Sequence, residues 1–221
     1  MHNNFSKSDF SDVKKLLNQT NPILTQSKKV EEFEKKWSKW LGVRYSTFVS
    51  SGSSANYISI SILKVLNKNK YKNEIIVPTL TWISDISSII LNGFKPIFVD
   101  INLKNLSMDI DQVLKKINKK TLGIFITHAQ GFNGLNDKLL KAINKHKLYL
   151  IEDVCESHGA TYKNKKLGTF GLMSNFSFYY AHHMTTIEGG MISTNNKEIY
   201  ELSKIFRSHG MARESKNQSY E

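Results

Sequence analysis

Side chains able to do chemistry gather in four short runs of this chain. Ser50-Ser51-Gly52-Ser53-Ser54-Ala55-Asn56 joins an apolar stretch to a helical pattern. Small residues in such a turn let backbone N–H groups at the helix start converge on an anion. A serine-rich helix cap explains the same letters. The second run, Val77-Pro78-Thr79-Leu80-Thr81-Trp82, follows a buried strand, and taken alone its Trp82 reads as a core aromatic. Leu148-Tyr149-Leu150-Ile151-Glu152-Asp153 is an apolar strand ending in carboxylates, with Glu156 three residues on. Ligands of open α/β sheets bind outside the carboxyl ends of strands, which is where Asp153 would sit; an Asp capping a short following helix is the competing use. The fourth run spans Phe176 to Gly190 and holds His182-His183, with no lysine between Lys166 and Lys197. Histidine moves protons near neutral pH. It has no amine with which to form a Schiff base.

These runs must be positioned by the elements around them. Residues 1–27 read as a polar arm with one helix around Asp9–Leu17. Val30, Phe33, Trp37 and Trp40 recur at helical spacing over Lys28–Leu41, and Gly42 ends that helix. Both tryptophans read as core. Apolar stretches at 45–49, 74–77, 95–99, 121–127 and 147–152 read as strands, with helical patterns at 53–66, 82–92, 109–118 and 135–146 between them. Such alternation implies crossover units: an α/β fold with a mainly parallel sheet flanked by helices. Beyond 152, a hairpin turning at Asn164-Lys165, strands at 174–180 and 190–194, and a helix at 197–208 are expected. If the 182–183 segment is extended, the two histidines project to different sides. Cys155 and His158 read as structural residues.

Composition narrows the classes. The 221 residues allow one large domain, assigned here to 28–221, and 40% hydrophobic content is enough for a core. The net charge of +12 lies largely in Lys/Asn clusters after predicted helices, where lysine faces water and complements the dipole. Attraction to a polyanionic small molecule is the second reading. No basic stripe interleaved with aromatics supports nucleic acid binding, and no Gly-x-Gly-x-x-Gly supports a dinucleotide site. No metal site is expected. One cysteine cannot form an internal disulfide, which fits a reducing, cytoplasmic setting. No stretch approaches the ~18 apolar residues of a membrane helix.

Taken together, the four runs resemble the DegT/DnrJ/EryC1/StrS sugar aminotransferase family, pyridoxal-phosphate enzymes of fold type I. The resemblance runs from about Leu24 to Ser208, and family members are longer, so a smaller C-terminal domain is expected to be missing. It implies that Gly52 and Ser53 grip the cofactor phosphate with help from Ser177, and that Trp82 stacks on the pyridine ring. It further implies that Asp153 faces the ring nitrogen and Glu156 lies beside the ring oxygen. The family's Schiff-base lysine sits six residues before Glu-Gly-Gly, where this chain has His182. Ordinary members usually carry glutamine at the Glu156 position. Glu and His together resemble the sugar 3-dehydratase subgroup, specifically that of the GDP-4-keto-6-deoxymannose 3-dehydratases.

That resemblance implies pyridoxal 5'-phosphate/pyridoxamine 5'-phosphate held without a covalent bond. It implies a nucleotide-linked 4-keto sugar as substrate, L-glutamate as amino donor, His182 as the catalytic base and a homodimer. The expected outcome is loss of the 3-hydroxyl in deoxysugar or lipopolysaccharide O-antigen biosynthesis. An aminotransferase-like protein of the same family and a non-catalytic nucleotide-sugar or cofactor binder are the alternatives. The single cysteine excludes an iron–sulfur cluster ligated within this chain.

Overall fold

The computed structural model describes residues 5–212. After α1 (Lys7–Leu17), which buries none of its residues, come α2 (Lys28–Leu41), β1 (Tyr45–Val49) and α3 (Gly52–Leu66). Then strands and helices alternate: β2 (Glu74–Pro78), α4 (Ile83–Leu91), β3 (Lys95–Val99), α5 (Ile110–Lys116), β4 (Thr121–Thr127), α6 (Asp137–His146) and β5 (Tyr149–Asp153). A small hairpin, β6 (Thr161–Tyr162) and β7 (Lys165–Lys166), precedes β8 (Met173–Ser177), β9 (Gly190–Thr194) and α7 (Lys197–Arg207). The expected α/β alternation is present, with boundaries shifted by a few residues. The hairpin turns at Lys163-Asn164 rather than Asn164-Lys165, because those two residues take the left-handed conformation (φ 48° and 60°) that a two-residue hairpin turn requires.

Seven strands form one sheet in the order β1-β9-β8-β5-β4-β2-β3. All neighbours pair in parallel except β9, which runs antiparallel to both β1 and β8. The carboxyl ends of β1, β2, β4, β5 and β8 therefore share one edge, and β9 starts from that same edge. Successive strand residues face opposite sides. Ile76, Ile124 and Leu150 pack with Trp37, Val113 and Leu139 of α2, α5 and α6. Ile75, Phe125 and Ile151 pack with Ile60, Ile89 and Leu202 of α3, α4 and α7. Burial on both faces explains the continuous apolar strands.

Trp37 is 3% exposed and sits edge-on to Phe176 and Phe178. Trp40 departs from expectation: it is 41% exposed, with the Lys166 ammonium 5.1 Å from its ring centroid. A lysine stem and ammonium cover that ring in place of a core.

Glu152, one residue before Asp153, is fully buried and organises the loop that leads into β8. Its Oε1 accepts N–H bonds from Phe170 (2.8 Å) and Gly171 (2.6 Å). Its Oε2 accepts from Gly168 N (2.9 Å) and meets His128 Nε2 at 3.2 Å. Gly134 N–H donates to His128 Nδ1 at 3.2 Å, which leaves Nε2 as the protonated nitrogen. All four contacts to Glu152 are thus donors. Glu152→Gln would turn an amide N–H₂ against two of them and should cost about 2–3 kcal/mol. A lowered denaturant midpoint without a changed slope would show it; an unchanged midpoint would mean the loop is held otherwise.

Candidate active site

The serine-rich turn serves as both a cap and an open donor set. Ser51 is the N-cap of α3, and its Oγ accepts from Ser54 N at 3.0 Å. The N–H groups of Gly52 and Ser53, in the first turn, have no intrahelical acceptor available to them. The turn is tightly held from below. A Cβ on Gly52 would stand 2.7 Å from Ser177 Cβ and 3.0 Å from Cys155 Sγ. One on Gly190 would stand 2.2 Å from the Ser51 carbonyl oxygen. Two glycines therefore let the turn lie directly against the ends of β8 and β9. Ser177 is buried, with its Oγ accepting from Tyr179 N at 3.2 Å. Burial pushes the neighbouring Cys155 thiol well up, with the Asp153 charge adding to the effect, consistent with an inert structural cysteine.

Asp153 ends β5 and is 3% exposed. No helix follows it. Its Oδ1 accepts from Cys155 N at 2.8 Å, closing a local turn, and its Oδ2 meets Asn56 Nδ2 at 3.2 Å. Glu156 is half-buried, and its Oε2 accepts from the backbone N (3.0 Å) and side-chain Nε2 (3.3 Å) of Gln130. Trp82 is the N-cap of α4 and 67% exposed, so the core reading of this residue fails. It stands on the loop beyond the carboxyl end of β2, with its ring free of the core.

His182 is half-buried on the loop between β8 and β9, with its backbone N–H on Tyr179 O at 3.0 Å. Burial pushes its pKa below the usual 6.5; the charges of Glu156 and Asp153 oppose this, and His183 reinforces it. The imidazole is thus neutral at pH 7. The loop here is turn and bend, not extended. As a result the two histidines are not thrown to opposite sides. His183 and His182 both approach the His158 ring, at centroid distances of 5.6 and 6.3 Å.

His158 itself is boxed by Trp37, Phe176 and Phe178. Neither ring nitrogen has an aligned hydrogen-bond partner, although the Ser177 backbone slightly favours its charged form. Burial, then His183 and His182, lower its pKa from 6.5 to about 4. The unfolded chain binds this proton first as pH falls. Stability fully present above about 6.5 is therefore lost progressively down to about 4, by about 3 kcal/mol. His158→Phe should flatten that part of a stability–pH curve; an unchanged slope would assign the loss to other groups.

Several residues beneath the site were not singled out from the sequence. Asn56, Asp85, Thr127 and Asn175 form a buried polar layer under Asp153. Polar residues inside otherwise apolar helices and strands were the available signal. A cavity of about 780 Å³ opens beside the serine turn, bordered by Ser53, Ser54, Tyr57 and Leu91. It does not include Asp153, Glu156 or His182. Among the described residues no cluster suited to a metal ion is present, and no helix is long and apolar enough to cross a membrane.

A tight glycine-backed turn with free first-turn N–H groups, a buried carboxylate at a strand end and a half-buried histidine stand on one sheet edge. A model of the DegT/DnrJ/EryC1/StrS aminotransferase family matches residues 4–221. The chain belongs to that family. Among its relatives is GDP-4-keto-6-deoxy-D-mannose 3-dehydratase of Escherichia coli O55:H7, 37% identical over 86% of this chain and 50% of the relative. GDP-perosamine synthase of Escherichia coli O157:H7 is 34% identical over 86% of this chain and 51% of its own length. The chain spans about half the length of the curated family members it matches. A solved Escherichia coli GDP-4-keto-6-deoxy-D-mannose-3-dehydratase with bound hydrated pyridoxal phosphate superimposes with a TM-score of 0.90 at 33% identity. That match covers 97% of this chain and 55% of the other. Family fold and chain topology agree throughout.

Proposed function

We propose that this chain forms the cofactor-binding part of a pyridoxamine/pyridoxal-phosphate-dependent 3-dehydratase. Its substrate is a nucleotide-linked 4-keto-6-deoxy sugar, and L-glutamate is the amino donor. The observation that carries this reading is His182. It occupies the position six residues before Glu188-Gly189-Gly190 where the family's lysine would stand, and it is half-buried and neutral.

The residues fit the cofactor. Gly52 and Ser53 offer free first-turn N–H groups, and the dipole of α3 favours a phosphate there. A Cβ at Gly52 would push the turn off Ser177 and Cys155 beneath it. Asp153 presents a buried carboxylate to a ring nitrogen, and the exposed Trp82 offers a flat face to the ring. When bound, pyridoxamine phosphate supplies an amine for the sugar's 4-keto group and a ring that accepts electrons. Asp153 would keep that ring nitrogen protonated. His182 would act as the base that takes up a proton beside the cofactor, and unlike an amine it cannot tie the cofactor down as a Schiff base. Glu156, steadied by Gln130, holds a negative charge near His182 that favours the imidazolium once formed.

Exposed Tyr57, Ile83, Ile90 and Leu91 on α3 and α4 suit coverage by a second copy, in a homodimer. The similarity to GDP-perosamine synthase favours a second reading, transfer of an amino group to the sugar. The full-length protein incubated with pyridoxal phosphate, glutamate and GDP-4-keto-6-deoxymannose separates the two. A 3-deoxy keto-sugar with release of ammonia supports the dehydratase. An amino sugar formed in step with 2-oxoglutarate, and no deoxygenation, would replace it with the aminotransferase.

A further inference from the structure

A second carboxyl lies against Asp153, and the chemistry proposed above does not use it. Asp85, in the first turn of α4, is completely buried. Its Oδ1 meets Asn56 Nδ2 at 2.6 Å, and the same nitrogen reaches Asp153 Oδ2 at 3.2 Å. Its Oδ2 accepts from Thr127 Oγ1 at 2.9 Å and from the Thr81 hydroxyl. Asn56 is itself locked. Its Oδ1 accepts from Asn175 Nδ2 at 2.9 Å, and Asn175 Oδ1 accepts from Ser59 Oγ at 2.7 Å. One amide nitrogen therefore bridges two buried carboxyls that belong to different elements, α4 and β5.

The hydrogen bonds to Asp85 come from an amide and two hydroxyls; those to Asp153 come from an amide and a backbone N–H. None of these donors is cationic. Two adjacent buried carboxylates with such partners cannot both stay charged, and one proton between them removes the conflict. Burial first, and the charge of Asp153 second, hold the Asp85 carboxyl well above the usual carboxylate range. The surrounding titratable groups do not relieve it. Cys155 is held neutral by burial, Glu156 is another carboxyl, and burial lowers the pKa of both His182 and His158.

We propose that Asp85 is a positioning residue for Asp153: the pair shares a single negative charge across the Asn56 bridge, which fixes the Asp153 carboxylate in one orientation. This rests on the reading of Asp153 as the partner of the cofactor's ring nitrogen. Asp85 carries the proton on Oδ2, and one of the two hydroxyls there, of Thr81 or Thr127, accepts it rather than donating. That leaves the charge on Asp153, at the mouth of the site, rather than spread into the layer below.

Infrared spectroscopy of the cofactor-free full-length protein tests this without turnover. A protonated-carboxyl band present at pH 7, sensitive to deuterium exchange and lost in Asp85→Asn, is expected. In Asp153→Asn, where the neighbouring charge is gone, the band should titrate away at lower pH than in the unaltered protein. No such band at pH 7, or a band removed by Asp153→Asn and kept in Asp85→Asn, overturns the proposal. Pyridoxal phosphate titration adds a readout: Asp85→Asn should bind within a few-fold of the unaltered protein, and Asp85→Ala on the order of tenfold more weakly. Equal affinity in Asp85→Ala would also overturn it. A chain without dehydratase activity could still show the band, and an active dehydratase could lack it, so the two readings fail separately.

Discussion

His182→Asn should lower the rate of 3-deoxygenation by about 10²–10⁴-fold, the usual contribution of a positioned acid–base group, while cofactor affinity changes little. Asparagine keeps much of the size and polarity of the ring but cannot take a proton near neutral pH. His182→Lys should lose deoxygenation as well and retain pyridoxal phosphate more firmly, since the new amine can condense with its aldehyde; borohydride fixation of the cofactor would read this out. His183→Asn should be mild, because His183 is exposed whereas His182 is half-buried beside the charges of Glu156 and Asp153. The pH dependence has a definite sign. Only the neutral imidazole accepts a proton and burial lowers its pKa, so activity should persist below pH 6.5 before it falls. Loss of activity in His183→Asn, with His182→Asn unaffected, would move the base to the neighbour.

The second large effect is on the framework. Gly190→Ala would place a Cβ 2.2 Å from the Ser51 carbonyl oxygen and 2.7 Å from Gly52 N, both backbone atoms that no rotamer change can move. Either β9 separates from the turn or the turn opens. Both lower stability, by about 3 kcal/mol or more, and both spread the N–H groups proposed above to hold a phosphate. Thermal unfolding and pyridoxal phosphate titration should fall together. Full stability and full affinity in this variant would show that the approach is looser than the geometry indicates.

Much of this arrangement was legible in the sequence because it rests on local signals. Apolar runs of strand length between amphipathic helices gave the α/β alternation, and Gly42 does end α2 in the left-handed conformation at φ 93°. The antiparallel direction of β9 was not legible, since no local pattern distinguishes a buried strand running one way from the other. Asp85 stayed hidden for a similar reason. Within Ile-Ser-Asp-Ile-Ser-Ser-Ile-Ile-Leu it looks like a solvent-facing polar residue, and only the packing of α4 against α3, β2 and β3 turns it onto Asn56 and Thr127 and buries it. Trp40 was misassigned because helical spacing does not reveal which apolar residues have something to cover them; for Trp82 the letters left a core and a ring-stacking reading, and its exposure removes the first. Where the two histidines point was left conditional on an extended segment, and a turn cannot be oriented by a period of two.

The sheet order has a consequence for how this protein is made. β1 pairs only with β9, and Ser46 and Ser193, bonded across that ladder, are 147 residues apart. At roughly 5–20 residues per second, β1 leaves the ribosome roughly 7–30 s before its partner exists. During that interval its edge and the serine turn behind it have no ladder to lie on, an exposure that invites mispairing. The free N–H groups of the serine turn, encoded just after β1, acquire their geometry only once β9 has followed, 147 residues later.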